Sequence, residues 1–178
     1  MINKHPPRDT SNNVNKFLSQ VAKTPLPRSS ARKGRLVFAM DATASREPTW
    51  ERACQLHAEM FKVTDELGGL SIQLCYYRGL TEFSTFNWSD NETELAKMMA
   101  DVTCLGGHTQ IRKVLKNALV QQDIKAVVFI GDAIEENPDL LCQLAGELGL
   151  LNTPLFIFQE GLDSYVKKIF KQMAKLSR

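Results

Sequence analysis

Five oxygen-bearing side chains could do chemistry together in this sequence. Asp41, Thr43 and Ser45 form an Asp-x-Thr-x-Ser run, Thr109 stands two residues after Gly106-Gly107, and Asp132 follows the apolar run Ala126-Val-Val-Phe-Ile130 with Gly131 between. Carboxylates and hydroxyls without Cys or His ligands suit a hard divalent cation, Mg2+ or Mn2+, rather than zinc or copper. The two-residue spacing of Asp41, Thr43 and Ser45 sends their side chains to one side of an extended loop, where they can converge on one ion. Two carboxylates with neutral hydroxyls leave such an ion short of anionic ligands, so it should seek an Asp or Glu from a partner. Taken singly, each residue reads more simply as a helix cap, and Thr109 could cap a helix that begins there. Taken together at strand ends, they favour a cation site.

The elements that must position these residues are legible in the apolar patterning. Leu36-Val-Phe-Ala-Met40, Ala126–Ile130 and Leu155–Phe158 are continuous apolar runs, as expected of strands buried on both faces of a parallel sheet. Ser71–Tyr77 alternates through Ile72, Leu74 and Tyr76, and with a short strand over Glu82–Phe86 after Gly79 it reads as a hairpin at a sheet edge. Helices are expected from Pro48 to about Leu67, where Gly68-Gly69 stops the pattern, and over Glu92–Val102, Thr109–Val120, Leu140–Leu148 and Tyr165–Leu176. This alternation specifies an α/β fold, a three-layer, doubly wound, mainly parallel sheet with helices on both faces. Ligands of such sheets sit at the carboxyl ends of the strands. Asp41 and Asp132 each follow a buried strand and so belong to that edge.

With 178 residues, 43% of them hydrophobic, the chain can close one core without disulfides. Cys54, Cys75, Cys104 and Cys142 are widely spaced and read as reduced thiols without a catalytic role. The net charge of +2 conceals an asymmetry: through Arg35, eight basic residues stand against Asp9 alone, whereas the remainder holds 14 basic and 19 acidic residues. Residues 1–34, with Pro6, Pro7, Pro25 and Pro27, read as a basic, loosely ordered extension, and residues 35–178 as the folded domain. No aromatics interleave with the tail's charges, so a solvated tail is favoured over a nucleic-acid arm. Val14, Phe17, Leu18 and Val21 would stripe a short helix that is marginal alone. It either packs on its own domain or serves as a partner-binding peptide, with Phe17 and Leu18 as its contacts. No run approaches the roughly 20 apolar residues of a membrane span. Met1–Lys23 lacks the apolar core of a secretory signal, and a cytoplasmic location is expected.

These residues resemble the von Willebrand factor A domain and its metal-ion-dependent adhesion site. The family's Asp-x-Ser-x-Ser loop is similar to Asp41-Ala-Thr43-Ala-Ser45, its central Thr to Thr109 after Gly106-Gly107, and its later Asp to Asp132 in Ile130-Gly-Asp-Ala133. The resemblance covers residues 35 to 177. It implies that Ser45 and Thr109 bind the metal directly, that Thr43 does so in place of the usual Ser, and that Asp41 and Asp132 bind directly or through water. The overall sequence resembles small bacterial proteins of this class. The family normally continues into a further strand and helix, so a shortened domain or a truncated gene is expected here.

The resemblance implies a metal-dependent protein-interaction module, an adaptor or assembly factor rather than an enzyme, of the kind that works beside MoxR-type AAA+ ATPases or in larger assemblies. Beside the ion, His108 and Glu135 are candidate partner contacts. Two alternatives stand against it. A metal-assisted hydrolase would use Asp41 as nucleophile, or His108, Glu135 or Glu136 as base, yet the chain has no second Asp after Asp41, no GxxxxGK[ST] loop and no GxSxG elbow. A scaffold would be recruited through the N-terminal helix, with the metal site vestigial.

Overall fold

The computed structural model describes residues 33–66 and 69–178. Its centre is β1 (Gly34–Asp41), whose six residues Leu36–Asp41 are all buried. A strand can be apolar on both faces only if both faces and both edges are covered. Here β2 (Leu70–Arg78) and β4 (Ile124–Gly131) flank β1, both parallel to it, with Phe38 beside Leu74 on one side and Val128 on the other. Outside them lie β5 (Leu155–Gln159), parallel to β4, and β3 (Glu82–Thr85), antiparallel to β2. The order β3-β2-β1-β4-β5 puts the expected hairpin at one edge.

Successive strand side chains alternate between faces, and two separate cores result. On one face Val37, Tyr77, Val127 and Phe129 meet α3 (Ile111–Val120), α4 (Pro138–Leu150) and α5 (Ser164–Ser177), with the Phe129 and Phe170 rings edge to face at 5.8 Å. On the other, Leu36, Phe38, Met40 and Val128 meet α1 (Glu47–Glu66) and α2 (Glu92–Ala100). The mainly parallel α/β architecture with helices on both faces is therefore as the patterning predicts. Helix starts follow local chemistry: Asn91, Asn137 and Asp163 accept hydrogen bonds from the first-turn N–H groups of α2, α4 and α5, and Pro138 fills the first position of α4. The expected tail helix with Phe17 and Leu18 lies outside the described residues. Among the described residues no helix is long and apolar enough to cross a membrane.

Because β2 and β4 lie on opposite sides of β1, the connections leaving β1 and β4 open a crevice at the carboxyl edge of the sheet, and Asp41 and Asp132 flank it.

Two glycines in α4 predict opposite outcomes. Gly→Ala inside a helix ordinarily stabilises by roughly 0.5–1 kcal/mol. A methyl at Gly146 would meet nothing within 4 Å, whereas one at Gly149 would fall 2.3 Å from the Leu176 carbonyl oxygen of α5. Thermal melts should show Gly146→Ala more stable than the parent and Gly149→Ala less stable. In α1, His57 is buried edge-on against Phe38 at 4.7 Å, and desolvation, aided by the charge of Arg46, lowers its pKa from 6.5 to about 3. Above pH 6.5 the ring is neutral folded or unfolded. Between 6.5 and about 3 only the unfolded chain takes up the proton, so stability should fall by about 1.4 kcal/mol per pH unit from this group. Denaturant titrations of parent and His57→Leu across pH 7 to 4 should differ by that slope.

Candidate metal centre

Asp41 is the last residue of β1 and has no solvent exposure. Its Oδ1 accepts from the Thr43 N–H at 2.8 Å and its Oδ2 from the Tyr77 hydroxyl at 2.9 Å. Burial raises its pKa; the Thr43 and Tyr77 hydrogen bonds work against that rise, and the nearby Asp132 charge adds to it. The Tyr77 hydroxyl, fully buried beside the carboxylate, is itself pushed up well above its ordinary range. Tyr77 did not emerge from the sequence. The available signal was its place on β2, one residue before the strand's end at Arg78 and directly opposite Asp41 in the parallel register.

Thr43 is buried and Ser45 exposed, and their hydroxyl oxygens lie 3.1 Å apart. Thr43 precedes the short 3-10 turn Ala44–Arg46 but makes no side-chain capping bond to it, so its hydroxyl is not spent as a cap. Thr109 is likewise no cap: α3 starts two residues later, and the Thr109 hydroxyl accepts from the Glu135 N–H at 3.0 Å while its own N–H donates to Glu135 Oε2 at 2.8 Å. Asp41 is no helix cap either: its bond to Thr43 N–H closes a local turn ahead of the 3-10 turn.

Backbone hydrogen bonds stitch these loops. Ala42 N–H donates to the Tyr77 carbonyl, Leu105 N–H to Ala42, Gly79 N–H to Leu105 and His108 N–H to Gly79. The seam is so close that a Cβ on Gly107 would lie 1.8 Å from the Gly79 carbonyl oxygen, so only glycine fits there. The third loop joins through Glu135 and through Glu136, whose two carboxylate oxygens accept from Ile111 and Arg112 N–H at 2.5 and 3.0 Å. Glu136 therefore caps α3 from across the site, while α4 has Asn137 as its own cap. Desolvation raises the Glu136 pKa. His108 and Glu135 sit side by side on the exposed rim, Nδ1 to Oε2 3.3 Å.

Beneath the first loop lies a fully buried cation that no local pattern announces. Arg46 pairs through Nη1 with Glu160 in the loop after β5, its Nε donates to the Asp41 carbonyl at 3.3 Å, and the Thr49 hydroxyl donates to Glu160 at 2.7 Å.

One observation tests whether this cradle fits a cation. Asp132 Oδ1 is buried and has no hydrogen-bond partner among the described residues. A carboxylate oxygen in that state is costly unless something positive meets it. Among the described residues no cluster of three or more His, Cys, Asp or Glu side chains forms a metal cage. The donors here are two carboxylates and three hydroxyls, the oxygen set that Mg2+ and Mn2+ prefer.

No family model matches the chain, and no curated protein matches it by sequence. Solved structures do. The SpRpn10 VWA domain superposes with a TM-score of 0.60 at 13% identity over 80% of this chain and 82% of its own. Proximal thread matrix protein 1 from the mussel byssus, with a zinc-occupied MIDAS motif, gives 0.63 at 14%, over 83% of this chain and 40% of its own. Manganese-loaded TRAP protein of Plasmodium vivax gives 0.58 at 12%, over 80% and 63%. The chain thus spans less than half of the mussel protein and less than two thirds of TRAP. At these identities the likeness establishes the fold, that of a von Willebrand factor A domain.

Melting followed with and without a divalent cation checks the site. A ligand at one hundred times its Kd stabilises by about 2.7 kcal/mol. Parent protein should melt higher in excess Mn2+ than in EDTA. Asp132→Asn should show no such rise, while its metal-free form melts at or above the metal-free parent, because the substitution removes the charge that opposes Asp41.

Proposed function

We propose that this chain is a cytoplasmic, cation-dependent protein-interaction module, an adaptor or assembly factor rather than an enzyme. Asp41, Thr43, Ser45, Thr109 and Asp132 hold Mg2+ or Mn2+, and the ion's open side takes a carboxylate from a partner protein. The observation that carries this reading is the buried, partnerless Oδ1 of Asp132 across the crevice from Asp41, whose carboxyl burial pushes up. A cation placed there would serve both groups. Five protein donors leave at least one position of an octahedral ion open, and a hard cation fills it with oxygen. A partner's Asp or Glu supplies that oxygen with a charge.

Two structural neighbours, one with a zinc-occupied MIDAS and one loaded with manganese, support a divalent ion at this position. Mg2+ or Mn2+ is preferred here from the ligand set alone. We favour the module over metal-assisted hydrolysis because two of the three candidate bases already accept backbone hydrogen bonds, and the third, His108, lies on the exposed rim. Glu135 accepts from Thr109 N–H, and Glu136 from the first N–H groups of α3. The resemblance to intracellular relatives makes a MoxR-type AAA+ ATPase or a larger assembly the partner to try first.

Affinity capture on immobilised full-length chain tests the reading. Partner retention should require Mg2+ or Mn2+, elute in EDTA and disappear in Asp41→Ala. Retention indifferent to both EDTA and Asp41→Ala would sink it.

A further inference from the structure

Beside the metal centre opens a cleft of about 400 Å3 whose wall includes Thr109, so cleft and ion share a residue. Its apolar surface comes from Leu80, at the tip between β2 and β3, and from the half-buried Leu140 at the start of α4, with the core residue Leu141 behind them. Leu80 is 70% exposed, and Leu105, on the neighbouring loop, is 52% exposed. Single exposed leucines are ordinary on protein surfaces. What distinguishes Leu80 is its place, on the cleft wall next to a residue of the candidate metal site.

The polar rim is cationic. Lys113 Nζ donates to the Thr81 carbonyl and to Gln110 Oε1, both at 2.7 Å, which fixes the ammonium at the cleft without neutralising it. Arg112 is exposed; its charge acts on Glu136 at a distance, and its guanidinium makes no hydrogen bond or ion pair among the described residues. The cleft's carboxylate, Glu136, is turned to the N–H groups of Ile111 and Arg112 and is spent on the helix start. A ligand entering here therefore meets leucine side chains first and a positive rim beyond them.

We propose that this cleft selects among acidic partners: it receives a bulky aliphatic side chain two residues from the Asp or Glu that ligates the ion, and Arg112 receives a second carboxylate beyond it. This rests on the cation reading of the adjoining site. Residues i and i+2 of an extended segment project to the same side about 6.6 Å apart, which suits a step from an ion at Thr109 into the cleft that Thr109 lines. Charge complementarity then fixes direction, with the ion at one end and Arg112 at the other. The occupant is an extended, doubly acidic segment of a partner protein with a leucine-like residue between its acids.

Fluorescence anisotropy with labelled peptides in Mn2+ tests this on the full-length chain. The probe is Gly-Glu-Gly-Leu-Gly-Glu-Gly, which keeps both acids and the leucine on one side of an extended chain, compared with forms in which Ala replaces Leu or Gln replaces the second Glu. Burying a leucine corresponds to about a tenfold change in affinity or more. The parent protein should bind the Leu peptide about tenfold tighter than the Ala peptide, and Leu80→Ala should shrink that ratio. The second Glu should improve binding a few-fold to the parent and not to Arg112→Gln. Leu and Ala peptides binding within twofold of each other, both released by EDTA, would overturn the cleft proposal and leave the cation reading standing. No binding in Mn2+, or binding indifferent to EDTA, overturns both.

Discussion

Asp41 ends the central strand where water does not reach it, and the free-energy cost of ionising it there shapes everything around the crevice. A Tyr77 hydroxyl and a Thr43 N–H each meet one of its oxygens, but Asp132 stands near with an oxygen that no described residue meets. Two carboxylates held close in a low-dielectric setting raise each other's energy unless a positive charge intervenes. The fold tolerates this because β1 cannot move: it is hydrogen-bonded on both edges and packed on both faces. The stability of the two cores thus underwrites an arrangement that is unfavourable by itself, which is where strain at a binding site ordinarily comes from.

The architecture was legible because its strongest signals are local. The runs at Leu36–Met40 and Ala126–Ile130 read as doubly buried strands, and Pro48 and Gly68-Gly69 mark helix limits by backbone chemistry. The carboxylates Asp41 and Asp132 were legible as strand-end residues. What the sequence concealed was long-range pairing. Tyr77 reaches Asp41 from 36 positions away and Glu136 caps a helix that starts 25 positions earlier; neither spacing leaves a periodic trace. Glu135 and Glu136 are written in the chain as an acidic helix start, and only the folded geometry reveals that they serve Thr109 and α3 instead. The tail's apolar stripe, with Phe17 and Leu18, lies outside the described residues.

Arg46 shows how the first loop is held from below. A fully buried guanidinium must be paired, and its partner Glu160 belongs to the loop that follows β5, while Thr49 of α1 bonds the same carboxylate. The loop after β1, the start of α1 and the end of β5 are therefore joined through one charge pair. His57, on the same helix, keeps its proton off partly because Arg46 is already charged. The polar groups beneath the site form a coupled set, and a change in one is felt by the others.

Gly107 lies against the Gly79 carbonyl with no room for a side chain, whereas His108 beside it faces solvent. The seam between the two glycines fixes the backbone that delivers Thr109, and the outward residues on either side of it bear no such restriction. Point substitution at His108, Leu105 or Leu80 therefore changes the chemistry of an exposed rim, whereas any side chain at Gly107 collides with the backbone beneath it. Steric exclusion fixes the one set of positions and leaves the other open.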